Sequence, residues 1–244
     1  MRGGAPDSGR LLAELPPSSI LALGQARADL VAVNKAYNAD GAHPVREVLA
    51  AGIQPFTRYE HYPPGDVDDT AAGYAWYYHA HEPSDCRPWE EHGHFHCYAY
   101  PALVAHAEPL ARPPGEASPR DATVTHLVGL CCSDRGAPNR LFTINRWASN
   151  EWMYPAEVLL PLIERFALDE GLPLPRVSRW LSALLRVLSP QVGWLLRERD
   201  RVLAEARARN PDGYSEDRSI DIVSTLTFDL TAQLETIRRR VAEL

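Results

Sequence analysis

No stretch of this sequence is long and apolar enough to cross a membrane. No apolar run follows the arginines of MRGGAPDSGRLLAELPPSS either, so a signal peptide is not expected. Cysteine is scarce: only Cys86, Cys97, Cys131 and Cys132 occur. No C-x-x-C is among them, which removes a zinc knuckle, and the adjacency of Cys131 and Cys132 points to buried reduced thiols. A pairing of Cys86 with Cys97 across a hairpin is the alternative to that reading. An excess of positive charge is missing as well. There are 25 basic against 32 acidic residues, a net charge of −7, so nothing draws the chain to nucleic acid or anionic lipid. Absent too are a G-x-S-x-G elbow, a phosphate loop and a dinucleotide fingerprint, so no nucleotide cofactor is indicated. A cytoplasmic protein is expected, with no nucleic-acid or membrane partner and an oligomeric state the sequence leaves open.

What is present suits a folded domain: 244 residues, 45% of them hydrophobic. Residues 1–17 carry Gly, Pro and Ser and are expected to be a flexible N-terminus, with 18–244 a single domain. Ile20, Leu23, Leu30, Val33 and Tyr37 predict a helix to about Asn38. A short helix follows from Pro44 toward Gly52. Phe56 to Tyr62 reads as extended, and Pro63-Pro64-Gly65 predicts a turn. Asp66, Asp68 and Asp69 lack the later Gly and Glu of a calcium loop and read as a solvated acidic turn. Strands are expected at 74–81, 92–100, 123–132 and 140–145. Helices are then expected from Pro155, from Arg176 and from Pro190. Even spacing of Ile220, Ile222, Leu226, Phe228 and Leu230 predicts a last strand, and Leu230, Leu234, Ile237 and Val241 a closing helix. Grouped rather than alternating strands give an α+β fold. It has an antiparallel sheet of about four to five strands, with N-terminal and C-terminal helices packed against it.

Five of the nine histidines fall between residues 79 and 96, as H-x-H and then H-x-H-x-H. A period of two is the strand period, so His79 and His81 share a face with Tyr77, and His92, His94 and His96 share a face with Tyr98. Pairing of the two strands brings both rows over one patch of sheet. His126 joins from the following strand, and His61 is a further candidate. Imidazole suits Zn, Fe, Ni or Cu, and three histidines leave a position open for water or substrate. The favoured set is His94 and His96 with His126. Its HFH followed by THLV is similar to the three-histidine arrangement of zinc carbonic anhydrases, as a local likeness only. The second set is His79 and His81 with His94 or His96. It is similar to a cupin motif, but Glu82 has the wrong parity and the glycine framework is missing. Histidines in a metal-free polar pocket or a buried hydrogen-bonded network are the competing readings.

Beside the histidines, Arg146 is expected to clamp a carboxylate or phosphate, and Glu151 to act as an acid/base or to orient a ligand imidazole. The bland alternative is an Arg–Glu pair. Tyr98 is expected in the pocket wall and in the catalytic set. Glu91 has opposite parity to His92 and is expected to face away. Cys131 and Cys132, on opposite faces of a strand, are expected to be inert.

The strings EHYPPGDV (60–67), YYHAH (77–81), EHGHFH (91–96), THLVGL (125–130), LFTINRW (141–147) and PQVGWLLRERD (190–200) together resemble an uncharacterised bacterial protein family. The likeness covers most of the chain from about residue 25. It implies one unit and supplies no activity, cofactor or substrate. From the residues alone the leading reading is a metal-dependent enzyme acting on a small polar molecule, by metal-activated water or metal-dependent oxidation. The alternative is a non-catalytic protein that binds a small ligand or a metal in a histidine- and aromatic-lined pocket.

Overall fold

The computed structural model describes residues 6–52, 54–82, 89–119 and 123–244. Six antiparallel strands form one sheet in sequence order: β1 (Tyr62–Asp69), β2 (Tyr74–His79), β3 (Gly93–Ala99), β4 (Thr125–Cys132), β5 (Pro138–Ile144) and β6 (Ile222–Thr227). Helices α1 (Ser8–Ala13), α2 (Pro17–Ala39) and α3 (Pro44–Ala50) precede the sheet. Between β5 and β6 lie α4 (Arg146–Ser149), α5 (Ala156–Glu164), α6 (Pro175–Val187) and α7 (Ser189–Arg209), and α8 (Leu230–Ala242) closes the chain. The α+β reading therefore holds, with one strand more than expected. The extra strand is β1, which runs through Pro63-Pro64-Gly65 instead of turning there. Proline costs a ladder bond only where the backbone is paired. β1 lies at the sheet edge, and its register to β2 shifts between Tyr62 and Val67, so the prolines are accommodated. Within the described part of 1–17, Asp7 caps α1 by accepting from the Arg10 backbone N–H, and Leu12 is fully buried.

Strand register divides the sheet into two faces. Trp76 lies opposite Cys97, Tyr78 opposite Phe95, Phe95 opposite Leu130 and Leu130 opposite Leu141. This face meets the helices. α6 turns Val177, Trp180, Leu181, Leu184 and Leu185 inward at the spacing of one helical face, and all are buried. Each such side chain contributes about 1.5–3 kcal/mol by leaving water. The contact is also polar at one point, where Trp76 Nε1 donates to Ser178 Oγ at 3.0 Å. α2 packs its own stripe, Ile20, Leu23, Leu30, Val33 and Tyr37, against α6. The helices thus cover one face of the sheet, and the opposite face carries His79, His94 and His96. No helix among the described residues is long and apolar enough to cross a membrane.

Candidate metal centre

The second face carries Tyr77, His79, His94, His96, Tyr98, Cys131 and Phe142. Register places His79 opposite His94 and Tyr77 opposite His96. His94 lies beside Cys131, His96 beside Gly129, and Gly129 beside Phe142. Gly129 has no Cβ for a reason: one built there would come within 2.2 Å of the Phe142 ring. That ring lies edge-on to His94 and His96, at 5.1 and 5.6 Å between centroids, and walls the histidines on the β5 side.

Three imidazoles converge. His79 Nε2 lies 2.7 Å from His94 Nε2 and 3.3 Å from His81 Nε2. One nitrogen from each of the three falls within 4.8 Å of the others. Tetrahedral zinc with Zn–N of ~2.05 Å needs N···N edges of about 3.3 Å. The His79–His81 edge already matches, and the His79–His94 edge must open by about 0.6 Å. His81 comes from just beyond the end of β2, which lets its ring turn toward the pair on the strands.

Glu91 completes this cluster, against its expected direction. Its Oε1 accepts from His94 Nδ1 at 2.7 Å and its Oε2 from Trp89 Nε1 at 2.8 Å. Burial pushes the Glu91 carboxyl up, but the hydrogen bonds and charge of His94, with further bonds from Cys131 and Trp89, outweigh it and bring it to about 2. Parity failed because β3 begins only at Gly93, so Glu91 and His92 do not alternate with the strand. Gly93 is needed at that entry, since a Cβ would sit 2.5 Å from the His79 carbonyl oxygen. His92 consequently departs from the shared face. Its Nδ1 meets Tyr78 Oη at 2.6 Å on the helix-facing side, and its ring packs near Phe56.

His96 and His126 form a further buried pair, with His96 Nδ1 2.9 Å from His126 Nε2, and the His96 ring also stands 4.8 Å from that of His94 and 5.1 Å from that of His79. Burial and the nearby charges of Arg199 and His94 hold His126 down at about 3, so it is neutral at pH 7. Of the favoured trio, His94 has its Nε2 on His79 and His96 has its Nδ1 on His126, while the His94 and His96 rings lie 4.8 Å apart. A register shift opposite Cys97 and Tyr98 brings His126 level with Tyr98. Tyr98 Oη lies 3.0 Å from Tyr77 Oη, and burial raises the Tyr98 phenol well above its ordinary value. It stands beside His126, at 5.3 Å between ring centroids. His61 stacks on Tyr77 at 3.6 Å and pairs with Asp66 at 2.8 Å, outside the trio.

Glu151 and Arg146 do not pair with each other in the described contacts. After α4, Asn150 in the left-handed region (φ 52°) turns the chain so that Glu151 points into the core. Glu151 Oε2 accepts from the His126 backbone N–H at 2.6 Å, gripping the strand that carries His126 rather than its ring. Burial raises its carboxyl to about 7, against the opposing pull of Arg199 and of that N–H. Arg146 Nε pairs with Glu216 at 2.5 Å and Nη1 donates to Asn150, which fastens α4 to the 214–216 turn. Cys97, Cys131 and Cys132 are buried, and Cys86 lies outside the described residues.

A cavity of about 800 Å³ is lined by His81 of the trio together with Glu91, Trp89, His92, Arg58 and Asp134. A larger groove of about 1440 Å³ runs between α1, α7 and β6, but no histidine lines it, and its Arg201 is already paired with Glu198 and Glu205. Volume and chemistry therefore point to different places, and the donor set decides in favour of the smaller cavity.

No curated protein matches the chain at a significant level. No solved structure does so either. Residues 24–228 match the family model described as "Domain of unknown function (DUF6969)", and the chain belongs to that family.

Proposed function

We propose that the protein is a metal-dependent enzyme in which His79, His81 and His94 hold one divalent transition-metal ion, and that a small polar molecule reaches the ion from the 800 Å³ cavity. One observation carries this reading: ring nitrogens of His79 on β2, His94 on β3 and His81 just past β2 lie within 4.8 Å of one another, and His81 also lines the cavity. Three neutral imidazoles leave the ion its full double charge and leave at least one coordination position open. Such an ion acidifies a bound water toward neutral pH and polarises an oxygen of the substrate. Zinc in the site means attack by metal-activated water. The same imidazole set also suits iron or copper, and such an ion would supply oxidation of the substrate with dioxygen as the electron acceptor.

Metal uptake by H79A/H94A and by H96A/H126A, each compared with wild type after dialysis against Zn²⁺ or Co²⁺, tests the assignment. Loss of uptake in the folded first variant and near one equivalent in the second is expected. Uptake unchanged in H79A/H94A removes the site. A stoichiometric metal with no exchangeable water leaves a binding protein instead of an enzyme.

A further inference from the structure

We propose that Glu91 is a positioning residue, one that decides which nitrogen of His94 faces the metal and so sets the affinity of the site; this rests on the metal reading above. A carboxylate can only accept, so the 2.7 Å contact from Glu91 Oε1 requires the proton on His94 Nδ1. With Nδ1 keeping its proton, the ion can displace only the proton of Nε2, so His94 offers Nε2 in the direction of His79 and His81, where the three nitrogens converge. A metal-bound imidazole that donates its other N–H to a carboxylate is held in one orientation and is a stronger base toward the ion.

Glu91 is itself fixed from the far side. Trp89 Nε1 donates to Oε2 at 2.8 Å, and the Trp89 ring is clamped between Phe142, at 6.0 Å, and the Arg140 guanidinium, at 4.7 Å. Both carboxylate oxygens thus act on neighbouring donors, which makes Glu91 an orienting group and not the base that takes a proton from substrate. The chain from Arg140 on β5 through Trp89 and Glu91 to His94 on β3 braces the trio from a strand that supplies no ligand to it.

Two measurements test this. In the first, two-bond ¹H–¹⁵N spectra of ¹⁵N-histidine-labelled wild-type protein report the His94 tautomer with no mutation. The Nδ1–H form is expected with and without Zn²⁺, and an Nε2–H form in the Zn²⁺-loaded protein overturns the proposal. The second is chelator competition for Zn²⁺. E91Q is expected to weaken binding by about 10–100-fold, with near-ultraviolet circular dichroism unchanged. In the E91Q protein without metal, the new amide donates to Nδ1, so His94 is expected to switch to Nε2–H. W89F keeps the Glu91–His94 bond and is expected to lose less affinity than E91Q. Wild-type affinity in folded E91Q, with the tautomer unmoved, overturns the role of Glu91 while leaving the three-histidine site standing. Absence of Zn²⁺ binding by wild type overturns both.

Discussion

Gly129 tests the link between the packing of the sheet and the site on it. It sits in the middle of β4, where glycine is normally a liability, between His96 on β3 and Phe142 on β5. A Cβ at this position would lie 2.2 Å, 2.3 Å and 2.6 Å from three atoms of the Phe142 ring. Carbon atoms rest at about 3.5–4.0 Å, so G129A requires the ring to move by roughly 1.3 Å or more. Phe142 is fully buried and has His94, His96 and Trp89 around it, so the shift cannot be absorbed by solvent. Overpacking of this kind costs about 1–3 kcal/mol. At roughly 2–4 °C per kcal/mol for a chain of this size, a cost of about 2 kcal/mol lowers Tm by about 4–8 °C. Because the ring is pressed toward His94, Zn²⁺ affinity should fall with it. Calorimetry and chelator competition on G129A, and on G129A/F142L in which the shorter side chain relieves the clash, measure both effects. Partial recovery in the double variant is expected. G129A within about 0.5 kcal/mol of wild type, the range of an ordinary surface change, with unaltered metal uptake, refutes the packing argument.

Glu151 should make stability pH-dependent. Burial raises it from 4.5 to about 7 in the fold, so between those values the folded protein keeps a proton that the unfolded chain has lost, and stability falls as pH rises. E151Q should therefore gain on wild type, by up to roughly 3 kcal/mol, between pH 4.5 and 7 in urea unfolding; a constant difference across that range contradicts it. H92A should keep one equivalent of metal, since His92 faces Tyr78, and lose about 1 kcal/mol with that hydrogen bond. Loss of metal in folded H92A would place His92 in the site. Free Zn²⁺ at about 100 times Kd should stabilise wild type by about 2.7 kcal/mol, and scanning calorimetry should show the gain reversed by chelator and absent in H79A/H94A.

Much of this was legible in the sequence where a period persisted. Side-chain alternation put Tyr77, His79, His94 and His96 on one face, and the helical stripes of α2 and α6 were visible as spacing. Failures fell where periodicity ends. Glu91 and His92 lie just before β3, and two residues there obey local chain direction rather than strand parity. His81 lies just past β2 and turns back to His79, which parity alone does not decide. The register shift beside His126 is set by pairing across strands, not by neighbours in sequence. Pro63-Pro64-Gly65 has the composition of a turn, and only its place at the sheet edge makes it a strand. One signal was available and unused: Gly93 between two histidines marks a close approach of chains, and with it the true start of the strand.

Anomalous X-ray diffraction from crystals grown with Zn²⁺, recorded on both sides of the zinc absorption edge, tests the central claim most directly. One strong peak is expected about 2.0–2.1 Å from the Nε2 atoms of His79, His81 and His94, with Glu91 still bonded to His94 Nδ1. A peak on His96 and His126, or no peak in crystals of folded wild-type protein, contradicts it.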